Sequence, residues 1–239
     1  MVILAIDTTT RGGSVAITRD DQPLSLVIGD ESRTHGERVP GEIARALGEA
    51  GLPRSAIDLI AVAAGPGAFT GLRIGLATAQ GLALTLDRPV VGVSALDALA
   101  STVFDGGERP QVPFVGAWMD AQRGDVFASL YRREEQGRWH VVEAPVTARP
   151  NVVLASWTAQ LANQDALFVG DAALRDQALI SDIGRNRWTV EAPAALAPAV
   201  ARLGRSLAGD GHAGKPHTLT PIYVRRPDAE IERERRHGQ

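Results

Sequence analysis

An α/β protein of two linked domains, each a mixed sheet led by a β-meander and flanked by helices, is the fold class this sequence predicts. Three observations carry that reading. Short β-branched runs such as residues 2–6 alternate with longer stretches of helical periodicity, the pattern of mixed sheets with helical crossovers. The opening strand pattern partly recurs after residue 110. In both copies the first strand ends in an aspartate, Asp7 and Asp120. The recurrence sets one domain at 1–104 and a reduced second one at 105–239, with a hinge over 105–110. The last helix and tail either pack back on the first domain or are disordered.

Residues 2–6 form a continuous apolar run suited to a buried central strand, and it breaks at the polar turn Asp7-Thr8-Thr9-Thr10. Residues 14–18 and 24–28 complete the meander around a turn at 20–23. Thr34 with Glu37 three residues later matches a capping box. Behind it Val39, Ile43, Ala46 and Leu47 share one helical face, although Pro40 and Gly41 predict a kink or a late start. Residues 59–64 form a second buried strand, and the segment after it organises the chain.

That segment reads Gly65-Pro-Gly-Ala-Phe-Thr-Gly-Leu-Arg-Ile-Gly75. Gly65 and Gly67 permit backbone angles and approaches that a Cβ forbids, Pro66 fixes its own φ, and Thr70 is suited to cap the following helix. In that helix Gly71, Gly75 and Ala79 repeat every four residues. An interior glycine costs about 1 kcal/mol relative to alanine, so the small ridge implies close backbone approach. The approaching partner is either the rest of the chain or another protein. A strand at 88–93 and a helix from Ser94 close the first domain.

In the second domain, residues 114–120, 126–131 and 139–142 repeat the meander, with a charged turn before the third strand. Residues 151–163 read as helix, 166–170 as strand, and 194–208 as an Ala/Leu helix interrupted by Pro198. A loop at 209–216 leads to an extended stretch at 219–224 and a frayed Glu/Arg-rich end from Asp228.

Composition narrows the function classes. The formal net charge of −3 carries no global basic footprint for nucleic acid, and the lack of cysteine excludes disulfides, thiolate zinc sites and cysteine nucleophiles. No charged leader or membrane-length apolar run is present, which makes the cytoplasm the expected compartment.

Two domains that each begin with a meander and an aspartate-ended strand resemble the actin, Hsp70 and sugar-kinase superfamily, whose domains are ribonuclease H-like. More closely, Ile3-Leu-Ala-Ile-Asp-Thr8, His35-Gly-Glu-Arg38, the glycine-rich segment at 65–75, Gly81-Leu-Ala83, Val90-Val-Gly-Val-Ser94 and Pro221-Ile-Tyr-Val-Arg225 resemble the TsaB (YeaZ) family nearly end to end. The resemblance implies a bacterial role in threonylcarbamoyl modification (t6A) of the tRNA adenosine beside the anticodon. It implies a non-catalytic subunit that dimerises with and activates the catalytic TsaD, alongside TsaC and TsaE. This chain departs from the family at Ala68, where serine is usual, and at Gly36 and Val39 on the first helix.

The residues bear on three classes: complex subunit, ATP-dependent transferase or kinase, and metallopeptidase. The related catalytic subunit carries a His-x-x-x-His metal pair, one imidazole above another on a helical face. Here His35 is followed four residues later by Val39, so no metal site is expected and His35 reads as a helix-start contact or interface residue. The superfamily's phosphate turn carries a glycine, whereas this one reads Asp7-Thr8-Thr9-Thr10. Its paired Gly-Gly nucleoside turn is here Gly170-Asp171. Asp7, Thr8, Asp120, Gly170 and Asp171 therefore outline a vestigial nucleotide cleft, and no cofactor is expected. Asp7 and Asp120 either hold a magnesium ion through water or cap their own turns. A Gly-x-Ser-x-Gly elbow is absent.

The expected partner interface comprises His35, Glu37, Val39, Ile43 and Leu47 of the first helix and Gly71, Leu72, Gly75, Ala79 and Leu82 of the second. Beside it stands the glycine-rich loop with Gly65, Pro66, Gly67, Phe69, Thr70 and Arg73. The same face is expected to self-pair into a homodimer when TsaD is absent. Contact with tRNA is expected only indirectly, since no aromatic-plus-basic platform is visible in the sequence.

Overall fold

The structure is a computed structural model that describes residues 1–104, 112–134 and 139–224. The expected hinge at 105–110, part of the charged turn before residue 139 and the tail from Arg225 lie outside the described residues.

The chain runs β1 (Val2–Asp7), β2 (Ser14–Arg19), β3 (Gln22–Ile28), α1 (His35–Glu49), β4 (Leu59–Gly65), α2 (Phe69–Leu86), β5 (Val90–Ser94) and α3 (Ala95–Phe104). It continues through β6 (Phe114–Asp120), β7 (Val126–Arg133), β8 (Trp139–Ala148), α4 (Pro150–Trp157), β9 (Ala166–Val169), α5 (Asp171–Arg175), α6 (Gln177–Ile183), β10 (Trp188–Glu191) and α7 (Ala197–Gly209).

The two sheets have one topology. Strand order is β3-β2-β1-β4-β5 in the first and β8-β7-β6-β9-β10 in the second. In each, three antiparallel meander strands are followed by two parallel ones, and the first strand is central. The partial sequence repeat is thus a repeat of whole sheets, and Asp7 and Asp120 end equivalent strands.

Strand alternation distributes the core. On β1, Leu4 and Ile6 join Val39, Ile43 and Leu47 of α1 and Leu72, Leu76 and Ala79 of α2 on one face. Ile3 and Ala5 point to the other face, where Leu96 and Leu99 of α3 and Val200 of α7 meet Val115 and Ala117 of β6 and Val169 of β9. Beyond the second sheet Trp118, Trp157, Phe168 and Trp188 form an aromatic core, with Trp118 edge-on to Trp157 at 5.5 Å between centroids.

Several elements depart from the sequence reading. α1 begins at His35 with no delay, because Thr34 N–H and Oγ1 both donate to the Glu37 carboxylate, at 2.9 and 2.7 Å. Pro40 falls inside the helix on its exposed side. Pro198 does not interrupt the last helix but stands in its first turn, where no helical N–H partner is required. That helix packs on the first sheet through Val200 and Gly204, whose approach to Ala61 leaves no room for a side chain. The strand β10 and the short helices α5 and α6 were not expected.

Candidate functional site

The first turn is closed on itself. Asp7 is buried, and its carboxylate accepts Thr9 N–H at 2.8 Å, Thr9 Oγ1 at 2.5 Å and Thr10 Oγ1 at 3.0 Å. Burial raises its pKa against the lowering effect of these hydrogen bonds. Of the two roles open to Asp7, this geometry occupies its oxygens as a turn cap. Next to it Thr8 is fully buried and its Oγ1 has no hydrogen-bond partner.

The second turn is closed by charge. Asp120 accepts Gln122 N–H at 3.1 Å and Gln122 Nε2 at 3.0 Å, and Arg175 Nη1 stands 2.7 Å from its Oδ1. Arg175 also grips Asp176 through two contacts of 2.8 Å, and Asp176 Oδ2 accepts the Trp118 indole N–H at 2.9 Å. Asp171 Oδ1 accepts the backbone N–H groups of Asp120 at 3.0 Å and Ala172 at 2.8 Å. Desolvation raises the Asp171 pKa, with the nearby Asp120 charge acting in the same direction. Gly170 holds φ +139°, where any Cβ would overlap Trp118 O.

The two turns border one cleft of about 730 Å³, whose walls include Thr9, His35, Thr70, Asp120, Asp171 and Arg175. Asp7 and Thr8 are buried and do not line it. Among the described residues no group of three or more His, Asp or Glu side chains is arranged to hold a metal.

At the start of α1, His35 Nδ1 lies 2.7 Å from Arg38 Nη2, so it accepts there and the proton sits on Nε2. Arg38 is only 4% exposed and donates to Glu42 at 2.6 Å, to Arg11 O at 3.3 Å and to Gly12 O. This buried cation pins the loop after β2's partner strand to α1. The sequence reading passed over it and over Arg175, although the Arg38/Glu42 spacing of four residues is a helix-pair signal.

The glycine-rich loop is fastened to the first turn by Ala68 N–H on Thr9 O at 3.2 Å, and Gly67 fits against Thr9. Gly65, at φ +113°, lies beneath Ile222 O, and Ile222 N–H returns a 2.7 Å hydrogen bond to Ala64 O. Pro66 is buried. Thr70, expected to cap α2, lies instead inside its first exposed turn, and Ala68 takes the capping position.

The small ridge faces inward. A Cβ on Gly71 would overlap Thr8 O and crowd the His35 ring, and one on Gly75 would overlap Thr8 Oγ1. Ala79, Leu72, Val39, Ile43 and Leu47 are all at most 5% exposed within the chain's own core. Internal packing therefore accounts for the glycines, a correction to the reading of that ridge as an outward surface. Glu37 is exposed but bound into the capping box. Outward, α1 and α2 border a groove of about 820 Å³ that keeps Ile43, Leu47 and Leu82 of the expected interface and adds Pro40, Ala44, Gly48, Ala77 and Gly81; Leu84 of α2 is 75% exposed.

Two sheets of one topology around a shared cleft define an actin-like protein, of the fold class that includes ATPases and sugar kinases. A family model described as "TsaD: tRNA N6-adenosine threonylcarbamoyltransferase" matches residues 29–232. The Bacillus subtilis tRNA threonylcarbamoyladenosine biosynthesis protein TsaB is 32% identical over 235 residues, 96% of each chain. A Pseudomonas aeruginosa structure described as similar to peptidase YeaZ superposes with a TM-score of 0.76 at 28% identity, over 94% of this chain and 99% of that one. The ADPNP-bound activator of the 2-hydroxyisocaproyl-CoA dehydratase from Clostridium difficile shares the fold alone, with a TM-score of 0.50 at 11% identity, over 93% of this chain and 100% of that one. The chain belongs to the TsaB (YeaZ) family.

Proposed function

We propose that this chain serves the formation of threonylcarbamoyladenosine beside the tRNA anticodon as a non-catalytic subunit, the dimerisation partner and activator of a TsaD-type catalytic subunit working with TsaC and TsaE. The observation that carries the reading is Val39. Four residues after His35, where a second imidazole would complete a helical metal pair, stands a valine 1% exposed in the hydrophobic core. The docking surface is the outward groove between α1 and α2, apolar and lined by small side chains that let two facing helices approach. With TsaD absent, the same face pairs two copies of this chain.

The ATP-dependent alternative has a cleft of suitable size, but Arg175 occupies the Asp120 carboxylate and the Asp171 carboxylate is engaged by the Asp120 N–H at the end of β6. The peptidase alternative needs a metal constellation, and among the described residues no group of three or more His, Asp or Glu side chains is arranged to form one. No described helix is long and apolar enough to cross a membrane, in keeping with a cytoplasmic place of work. Co-purification of the tagged chain from its own cells tests the reading: a TsaD-type subunit in stoichiometric amount supports it, and turnover of ATP or peptide by the isolated chain sinks it.

A further inference from the structure

The fold assembles an aromatic and cationic cluster from residues far apart in the sequence. Phe69, the first residue of α2, is 45% exposed, and Tyr223, from the segment that follows the last helix, is 41% exposed. Their rings stack with centroids 6.2 Å apart and an interplanar angle of 27°. The Arg73 guanidinium, one turn along α2, lies 3.9 Å from the Phe69 ring centroid. Arg73 is exposed and has no carboxylate partner among the described residues. Tyr223 is held in place by its neighbours, through Ile222 N–H on Ala64 O at 2.7 Å and Gln80 Nε2 on Pro216 O and Leu219 O at 3.1 and 3.2 Å. A half-exposed stack of cation, ring and ring is thus presented to solvent.

We propose that this cluster is a contact for single-stranded RNA, in which an unpaired base extends the Phe69–Tyr223 stack and Arg73 faces the adjoining phosphate. The chemistry is that of sequence-tolerant strand binders, in which every base offers a π face to an aromatic ring and a nearby guanidinium supplies charge. The neighbourhood is mixed in charge: the cleft that also contains Ala68 and Thr70, the residues flanking Phe69, is lined by Arg11, Arg33 and Arg175 and by Glu31, Asp120 and Asp171, so the cation that serves the stack is Arg73 itself. The proposal rests on the reading of a role in tRNA modification and replaces the expectation of purely indirect contact. That expectation rested on the net charge of −3 and on the lack of an aromatic-plus-basic platform visible in the sequence.

The test is fluorescence anisotropy with the purified full chain and two labelled probes, an oligouridylate and an unmodified anticodon stem-loop. Wild type binds both probes in a salt-sensitive manner. Tyr223→Ala and Phe69→Ala weaken binding by about 5- to 150-fold, the effect of losing one base stack. Arg73→Ala lowers the slope of log affinity against log salt by about one. Tyr223→Leu separates this role from simple fastening of the chain end, since it keeps an apolar anchor and removes the flat ring. It retains the wild-type melting temperature and loses RNA binding. RNA binding unchanged in folded Tyr223→Leu, or no binding by wild type, overturns the proposal. Loss of TsaD capture in that variant, with RNA binding intact, also overturns it and marks the cluster as a protein contact. Capture of TsaD is read separately from RNA binding, so either idea can fail while the other stands.

Discussion

Gly75 of α2 lies directly against Thr8 of the first turn, so closely that a Cβ at Gly75 would overlap Thr8 Oγ1. Thr8 is fully buried, so it can give way to a Cβ there only by displacing the core around it. Gly75→Ala should destabilise the fold by about 1–3 kcal/mol, the usual cost of overpacking a core. Urea unfolding measures it, and an unchanged midpoint would mean that the ridge is not packed as described.

Gly81 should respond in the opposite way. No atom lies within 4 Å of a Cβ built there, so Gly81→Ala gains helix propensity without a clash. The expected gain is up to about 1 kcal/mol, read as a raised melting temperature of the isolated chain.

His35 should make the protein sensitive to mild acid. Burial and the Arg38 cation beside it, in that order, lower its pKa from the ordinary 6.5. The unfolded chain therefore binds the proton first, so this contribution to stability is complete above about pH 6.5 and declines as pH falls toward the folded value. Protonation at Nδ1 would also set a second cation 2.7 Å from Arg38. The difference in melting temperature between about pH 7.5 and about pH 5.5 should shrink in His35→Gln. An unchanged difference would remove His35 from the account.

The two equivalent aspartates should differ. Asp7→Ala strips buried partners from Thr9 and Thr10 and should cost about 1–3 kcal/mol. Asp120→Ala breaks a half-exposed ion pair with Arg175 and should cost less than about 1 kcal/mol. Equal losses in denaturant unfolding would contradict the division into a buried cap and a surface lock.

Elements with strong local signals were readable from sequence. The apolar run of β1, the capping box of α1 and the break at Gly65 each have a local cause. The repeat of Asp7 by Asp120 forecast two sheets of one topology because a meander has a short signature. α5, α6 and β10 were not readable, since four- to seven-residue elements give too little periodicity. The direction of the small ridge was open for a different reason. Four-residue spacing shows that something approaches α2, and only the fold identifies it as Thr8. The Phe69–Tyr223 stack joins residues 154 positions apart, 223 − 69, which no local pattern can announce.

The central claim is that the outward α1/α2 groove docks the catalytic subunit, and Gly81→Arg tests it most directly. The site has open space around it, so the arginine should leave the isolated chain folded with a melting curve close to wild type. At a closed helix–helix contact the same side chain would bury an unpaired charge. The measurement is capture of TsaD by the tagged variant, together with t6A content of tRNA in cells depleted of the wild-type chain. The account predicts a folded variant that fails to capture TsaD and fails to restore the modification. A folded Gly81→Arg chain that captures TsaD and restores t6A to wild-type levels would contradict it.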